Sequence, residues 1–437
     1  MKEIIERFFA LKASGTTVRR ELLAGLVTFL TMSYILVVNP SILSVTGMDK
    51  EALFTATALT SIFATLVMAL YAKLPIAQAP GMGLNAFFAF TICGVMGYSW
   101  KFALTAVFIE GVIFILLTCL NVRELIVRCI PSVIKEAIPI GIGLFITLIG
   151  LHNAGIIVPN ADTLVAMGDI GQHSVWIALA GLLVMGVLQL RGVKGAILIG
   201  IAAATLLSVL LGEVAWPSES LVSLPPSLAP VALQFEWSHL FSLDMLMIVF
   251  TLLFINLFDT VGTLIGVGIQ AGLTDSRGNI PHLKRALLAD ALGTTAAALL
   301  GTSTVTTYIE SASGVASGGR TGLTALSTAC WFVLALFLAP LFLMVPAAAT
   351  SPALIMVGLF MVTSISRIHF ADLRQGLPAF LTIVFMPFAY SIAEGIVFGL
   401  LSYTFLYLFS GKGREVSPTV YIISLLFLLK MVADVLW

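Results

Sequence analysis

Four acidic side chains lie inside long apolar stretches of this sequence: Glu110, Asp259, Asp290 and Glu310. Asp259 lies deep in one apolar run, and Glu310 lies just inside another. Neither run contains a basic residue that could pair with the acid. An unpaired carboxyl group in an apolar environment is expected to be protonated or bonded to a ligand. Asp259 and Glu310 are therefore the first candidates for a functional site.

The other two acids are better explained by structural roles. Glu110 lies in the middle of its apolar run, and we expect a packing hydrogen bond to a neighbouring helix. Asp290 follows Lys284 and Arg285 by about one and a half helical turns, which favours a solvated or ion-paired carboxylate. The five histidines lie outside the apolar runs and the four cysteines are dispersed, so no metal site or cofactor is predicted.

The composition restricts the class of protein. Of 437 residues, 59% are hydrophobic and 10% are charged, whereas about a quarter are charged in soluble domains. The mean hydropathy is +1.09. One soluble core cannot bury that much apolar surface, and the net charge of +0 offers no basic surface for nucleic acid. The sequence predicts an all-α polytopic membrane protein.

Apolar runs separated by polar, proline or glycine breaks predict fourteen membrane spans. The spans run over 22–45, 51–72, 75–96, 102–120, 133–151, 174–190, 194–212, 241–268, 285–301, 303–317, 322–345, 350–363, 376–391 and 393–410. With the N-terminus inside, 19 of the 22 basic residues fall on the inner side and only Lys50 and Lys101 fall outside. This asymmetry follows the positive-inside rule. It predicts the cytoplasmic membrane with both termini inside.

Both ends of the chain are expected to form surface helices. Residues 1–20 alternate basic and apolar side chains, as in an amphipathic helix lying on a membrane face. Residues 419–436 are apolar but interrupted by Lys430 and Asp434, and we expect a second surface helix there.

An internal repeat relates the two halves of the chain. The segment from Pro131 to Gly143-Leu-Phe recurs, with the same spacing, from Pro346 to Gly358-Leu-Phe, which lies 215 residues later. The first copy enters from the inside and the second from the outside. The agreement with the charge pattern favours an inverted repeat of seven plus seven spans over a chance likeness.

Two spans are expected to be discontinuous. The third contains Pro80 and Gly81, which break a helix, and the tenth begins with the hydroxyl and β-branched residues of 302–307, which favour a strand. Each is predicted to be a short strand followed by a half-helix. The two half-helix N-termini would direct free N–H groups at a shared cavity, with Asn85 opposite Glu310.

Four motifs carry a resemblance to a known family. They are TMSYILVVNP at 31–40, APGMGLNA at 79–86, NLFDTVGT at 256–263 and TYIESASGVASGGRTG at 307–322. Over essentially its whole length the sequence resembles the AzgA-like purine branch of the nucleobase–cation symporter 2 family. The resemblance implies a core domain, 22–120 (spans 1–4) and 241–345 (spans 8–11), and a gate domain, 133–212 (spans 5–7) and 350–410 (spans 12–14). It also implies a homodimer through the gate domain.

The resemblance further implies proton-driven uptake of purines, with substrate-binding positions at Asn85, Asp259 and Glu310. Ser311, beside Glu310 in the motif, joins this set. Base faces stack well on aromatic rings, for which Phe87 is the first candidate, with Phe258 and Tyr308 as others. Asp259 or Glu310 would also carry the coupling proton while the core domain moves past the gate domain as an elevator.

Several alternatives remain open from the sequence. No residue decides between guanine or hypoxanthine, which we prefer, and adenine, nor between a proton and sodium as the coupling ion. An anion transporter for sulfate or bicarbonate on a related inverted-repeat fold is disfavoured, because two acids at the site would repel the anion. An enzyme is disfavoured because the chain has no nucleophile, phosphate-loop or metal-ligand motif.

Overall fold

The structure, a computed structural model, describes residues 2–120, 131–216, 220–238, 240–270 and 282–436. Its N-terminal helices are α1 (Lys2–Phe8), α2 (Val18–Met32), α3 (Ile35–Leu43), α4 (Lys50–Val67), α5 (Met82–Ala86), α6 (Trp100–Cys119), α7 (Ser132–Asn153), α8 (His173–Leu190) and α9 (Ala196–Leu210). The later helices are α10 (Leu243–Gln270), α11 (Leu283–Leu300), α12 (Ser311–Ala316), α13 (Gly322–Leu336), α14 (Ala339–Leu343), α15 (Ala347–Val362), α16 (Leu373–Phe388), α17 (Ile392–Phe409) and α18 (Pro418–Leu436).

In the described part of the chain, four short strands accompany the helices: β1 (Gln78–Pro80), β2 (Ile157–Asn160), β3 (Leu164–Met167) and β4 (Val305–Thr307). β2 pairs with β3 and β1 pairs with β4, both antiparallel. Two stretches, Met68–Ala72 and Phe87–Val95, continue α4 and α5 as π-helical turns.

The described helices include eight that are long and apolar enough to cross a membrane. They are Val18–Thr46, Lys50–Ala72, Trp100–Cys119, Ser132–Asn153, His173–Leu190, Leu243–Leu264, Ala347–Arg367 and Ile392–Phe409. Shorter apolar helices cover Met82–Val95, Ala196–Leu210, Gly322–Leu336 and Leu373–Phe388. With α11 and the β4–α12 segment, a structural element falls in each of the fourteen segments expected from the sequence. The number of membrane crossings stays a prediction.

The third and tenth segments have the expected strand-then-helix form. β1 and β4 pair with Gln78 opposite Thr307, Ala79 opposite Thr306 and Pro80 opposite Val305. Pro80 lacks the N–H group that a continuing helix needs, and Gly301 has a left-handed φ of 90° where α11 ends before β4. The predicted short strands are thereby confirmed.

Small residues let the helices around the two strands approach one another closely. A Cβ atom on Gly293 of α11 would lie 2.8 Å from Cβ of Ala64 in α4, and one on Gly111 of α6 would lie 2.5 Å from the Thr295 hydroxyl of α11. Ala64 also packs with Ala297 and Val305 in a buried apolar cluster. Such close contacts between small residues are typical of helix packing in membranes.

The loop after α12 is fixed by a buried acid at the start of α2. Glu21 is fully buried, and its carboxylate accepts hydrogen bonds from the Arg320 N–H group and from both the N–H and hydroxyl groups of Thr321 and Thr324. These donors lie at the N-terminus of α13, where a negative charge is favourable. Glu21 thus caps α13 from a distant part of the chain.

The chain separates into two compact units, residues 1–120 with 150–354 and residues 121–149 with 355–437. Within the second unit, Gly143 of α7 contacts Gly358 of α15: a Cβ atom on Gly143 would lie 2.7 Å from the Gly358 carbonyl oxygen. These glycines occupy equivalent positions of the internal repeat. The predicted core and gate domains are segments that are expected to move relative to each other, whereas these two units are defined by contacts within each of them. The division into core and gate domains therefore stays a prediction.

The N-terminal helix is shorter than expected. The first helix covers Lys2–Phe8, and the chain then turns through Ala10 and Gly15, both with left-handed φ, before α2 begins at Val18. Phe9 and Leu11 are buried against Leu323 of α13. The expectation of one amphipathic helix over 1–20 is therefore wrong, because two large apolar side chains fold inward instead of facing a membrane. The surface location of the C-terminal helix stays a prediction.

Candidate functional site

Asp259 lies beside the crossing of β1 and β4. Its side chain, on α10, is partly buried, and its Oδ2 accepts a hydrogen bond of 3.1 Å from the Thr306 hydroxyl of β4. Thr306 is itself buried and is held in register opposite Ala79 of β1. The strand pairing therefore sets the position of the hydroxyl that orients the carboxylate.

Glu310 lies three residues after β4, at the start of α12. The side chain is partly buried, and its Oε1 accepts a hydrogen bond of 2.5 Å from the hydroxyl of Tyr34. Glu310 follows Thr306, the hydrogen-bond partner of Asp259, by four residues. A carboxylate has about four acceptor positions, so each acid retains capacity for donors from a ligand.

Asn85 is fully buried on α5. Its Oδ1 accepts a hydrogen bond from the Ser303 hydroxyl, and its Nδ2 has no hydrogen-bond partner within the described part of the chain. An unpaired buried amide donor is costly and calls for an explanation. Asn85 thus brings an unused N–H donor close to the crossing, although it is not exposed in this conformation.

Ser311 links the two broken segments. Its hydroxyl oxygen accepts a 3.0 Å hydrogen bond from the N–H group of Ala77, just before β1. The Gly81 N–H group donates in the same direction, to the Thr304 carbonyl at 2.9 Å, and the Tyr308 hydroxyl donates in the reverse direction, to the Pro80 carbonyl at 2.5 Å. In this conformation Ser311 holds the crossing together, and its expected contact with a substrate stays a prediction.

The aromatic candidates are mostly packed. Phe87 is 1% exposed and Tyr308 is 4% exposed, so neither ring presents an open face in this conformation. The side chain of Phe258 lies outside the described part of the structure. Stacking of a base on any of these rings stays a prediction.

The expected free N–H groups at the second half-helix are not free. Those of Ser311, Ala312 and Ser313 donate to the carbonyl groups of residues 308–310. The prediction of an open helix terminus at α12 is wrong because its first turn is tightened by bonds to the third preceding residue, which use the donors.

Glu110 has the packing role expected from the sequence. It is fully buried, accepts a 3.1 Å hydrogen bond from the side-chain amide of Asn256 on α10, and accepts a 2.5 Å bond from the Thr304 hydroxyl. It thereby joins α6 to α10 and to the residues that lead into β4.

Asp290 is not solvated, and that expectation is wrong. The side chain is fully buried, and its Oδ1 accepts hydrogen bonds from the Thr260 hydroxyl at 2.9 Å and from the Gln78 amide at 3.4 Å. The Thr260 hydroxyl also lies 3.2 Å from that of Thr306. Asp290 therefore belongs to the hydroxyl network behind Asp259, because partners from distant segments enclose it.

Two residues at the site were not singled out from the sequence. Tyr34 contacts Glu310, and Thr306 contacts Asp259. Tyr34 stands in the motif at 31–40 and Thr306 directly precedes the motif at 307–322. The available signal was the position of these polar residues within or directly beside the four motifs.

The fold and the site together define a class of protein: a polytopic membrane protein built like the inverted-repeat transporters, with two carboxylates beside a pair of broken segments. The transmembrane domain of a cyanobacterial bicarbonate transporter, BicA, matches 86% of this chain and 97% of its own, with a TM-score of 0.66 and 16% identity. At that identity the likeness shows the fold alone.

The family follows from the sequence comparisons. The xanthine/uracil permease model, described as "Permease family", matches residues 19–398, and the chain belongs to this nucleobase–cation symporter 2 family. Adenine permease AdeP of Escherichia coli is 45% identical over 98% of this chain and 96% of its own length. Guanine/hypoxanthine permease PbuG of Bacillus subtilis is 43% identical over 97% and 99%. These relatives are permeases, not enzymes.

Proposed function

We propose that the protein takes up purine nucleobases across the cytoplasmic membrane, coupled to protons. The observation that supports this most strongly is the pair of partly buried carboxylates, Asp259 and Glu310, beside the β1–β4 crossing. Both retain acceptor capacity, and both are oriented by neutral hydroxyl donors. A purine, which carries ring N–H donors on its edge, is a suitable partner for such acceptors.

Guanine and hypoxanthine fit this arrangement best. Both present the N1–H donor, and guanine adds the 2-amino group beside it, so that one carboxylate can accept two parallel hydrogen bonds. Adenine presents an acceptor at N1, which a carboxylate at that edge would repel. The unpaired Nδ2 of Asn85 would donate to a ring nitrogen or carbonyl oxygen of the base. Because Asn85 is buried in this conformation, the residues around it must move when the base binds.

An adenine permease is the second candidate. AdeP is as similar to this chain as PbuG is, and adenine can still donate through its 6-amino group and its imidazole N–H. A site built on hydrogen bonds discriminates strongly against bases that leave its groups unpaired, so competition between the bases separates the two candidates.

Proton coupling is proposed from the acids themselves. Asp259 accepts a hydrogen bond from the neutral hydroxyl of Thr306, and Glu310 accepts one from the neutral hydroxyl of Tyr34. A proton on one of the two carboxyl groups relieves their mutual repulsion. In the proposed topology the chain crosses the membrane fourteen times with both termini inside. In the proposed cycle the protein alternates between a state open to the outside and a state open to the inside. The core segments 22–120 and 241–345 carry base and proton together as an elevator.

The test is uptake of radiolabelled hypoxanthine, guanine, adenine and sulfate by cells that express the protein. The Asp259→Asn and Glu310→Gln variants are each expected to lose about 10- to 100-fold in uptake at equal surface expression, since each loses a charged acceptor. Asp162→Asn, in the exposed β2–β3 turn, is the matched control and is expected to behave like wild type.

Two results would overturn the proposal. Normal uptake by both site variants would refute the assignment of Asp259 and Glu310 to the substrate site. Sulfate uptake without purine uptake would indicate an anion transporter. A protonophore is expected to abolish accumulation. Accumulation that survives collapse of the proton gradient but depends on sodium would show that sodium, and not the proton, is the coupling ion.

A further inference from the structure

A large groove, whose lining includes none of the candidate site residues, lies between the N-terminal segment, α2 and α13. Its volume is about 1000 Å³, the upper end of the range for small-molecule sites. The walls are mostly apolar: Leu22, Leu23 and Leu26 of α2 face Leu326 and Leu334 of α13. Leu22 and Leu23 are about half exposed. The groove therefore offers a long apolar surface with nothing from the described chain covering it.

The N-terminal end of the groove is polar and basic. Lys12 and Arg19 line it together with the hydroxyl residues Thr16 and Thr17. Glu6 is the acid among the lining residues, and it lies 4.0 Å from Lys12, whose side chain is 90% exposed. An exposed ion pair at that distance is weak, so Lys12 is available to another anion. The groove thus combines a cationic end with an apolar length.

The segment that forms the basic end is held in place. Nζ of Lys73 donates a 3.1 Å hydrogen bond to the Phe8 carbonyl and lies 4.3 Å from the centre of the Phe8 ring. Phe9 and Leu11 are buried against Leu323 at the start of α13. Contacts within the protein therefore hold this wall of the groove in place, which reduces the ordering cost of binding.

We propose that this groove binds one anionic phospholipid of the inner leaflet. The phosphate group lies at Lys12 and Arg19, and an acyl chain lies along the leucines of α2 and α13. The distribution of basic residues predicts that the start of α2 lies on the cytoplasmic side, where basic pockets beside membrane helices attract anionic headgroups. The leucine walls offer few polar groups to a purine, which separates this groove from the substrate site.

The first test is native mass spectrometry of the purified full-length protein in detergent, titrated with phosphatidylglycerol or phosphatidylcholine. One phosphatidylglycerol is expected to bind in preference to phosphatidylcholine. The double variant K12Q/R19Q is expected to bind phosphatidylglycerol about 30-fold more weakly, because each basic residue near an anionic headgroup contributes several-fold to the affinity. The control K412Q/R414Q removes two basic residues near the C-terminal helix and is expected to bind as wild type.

The second test locates the lipid. Cys330 is exposed and lines the groove, so a variant with its other cysteines replaced by serine reports on access through maleimide labelling. Phosphatidylglycerol is expected to slow the labelling, phosphatidylcholine is not, and K12Q/R19Q removes the difference. Leu326→Trp, which fills the groove and keeps both cations, is expected to weaken lipid binding as well.

Equal binding of the two lipids would overturn the proposal. So would labelling of Cys330 that phosphatidylglycerol leaves unchanged, or equal losses in K12Q/R19Q and K412Q/R414Q. Stable pairing of two protein copies that blocks Cys330 without lipid would assign the groove to a protein interface instead. None of these measurements depends on which substrate is transported.

Discussion

The hydrogen bond between Tyr34 and Glu310 allows a quantitative test of the site. Tyr34 is 1% exposed, and its hydroxyl donates to the carboxylate at 2.5 Å. Tyr34→Phe keeps the ring and its packing and removes only this donor. A hydrogen bond to a charged group contributes about 1.5–3 kcal/mol. Because Glu310 is only partly buried, water replaces part of the lost bond, and the lower value applies.

The expected result is a roughly tenfold weaker apparent affinity for the transported purine, which corresponds to about 1.4 kcal/mol. The assay is concentration-dependent uptake of labelled hypoxanthine at matched surface expression. Tyr98→Phe is the matched control, since the Tyr98 hydroxyl also donates to a carboxylate, that of Asp244. That bond raises the pKa of Tyr98 to about 12, but it lies outside the candidate site, so uptake is expected to be unchanged.

A double-variant cycle separates an effect through Glu310 from any other. If Tyr34 acts by orienting this carboxylate, then Y34F/E310Q is expected to be no worse than E310Q alone. Losses that simply add in the double variant would refute this reasoning, as would equal losses in Y34F and Y98F.

Three further predictions concern stability, each measured as the thermal midpoint of unfolding in detergent. Glu21→Ala leaves a set of buried donors without an acceptor and is expected to cost about 3–5 kcal/mol; an unchanged midpoint would contradict the capping role. Gly143→Leu forces a side chain against the facing glycine carbonyl and is expected to cost about 1–3 kcal/mol, whereas Gly186→Leu, where a Cβ atom meets nothing within 4 Å, is the control that should cost little. Hydrogen bonds from Arg374 hold the pKa of Asp372 below its usual value, so this carboxylate stabilises the fold above its unfolded-state pKa and loses that effect as the pH falls through the lower folded-state value. The midpoint difference between wild type and Asp372→Asn is therefore expected at neutral pH and should vanish in acid; a difference that persists in acid would contradict the ion-pair explanation.

The local features of the broken segments were predictable from the sequence. Pro80 and Gly81 interrupt one helix, and the β-branched residues of 302–307 favour a strand, so both strand positions follow from short-range chemistry. Charged residues in apolar runs are rare enough to single out Asp259 and Glu310 without a structure.

Partners from distant segments were not predictable in the same way. Asp290 was compared with Lys284 and Arg285 because these are its sequence neighbours, whereas its partners in the fold are Thr260 and Gln78, the latter 212 residues away. A threonine in a membrane helix can bond to its own backbone or to another segment, and the sequence does not distinguish the two. The hydroxyl network around Asp259 therefore required the structure.

The pairing of β1 with β4 also constrains biosynthesis. Gln78 and its partner Thr307 are 229 residues apart in the chain, so translation separates their appearance by roughly 10 to 50 s at ordinary elongation rates. Throughout that interval the first strand has no partner for its backbone groups, and such groups cannot be left exposed to lipid. The first half of the protein must therefore wait in the membrane with its third segment shielded among its own helices. The pairing that positions Thr306 beside Asp259 is completed only after the tenth segment has been made.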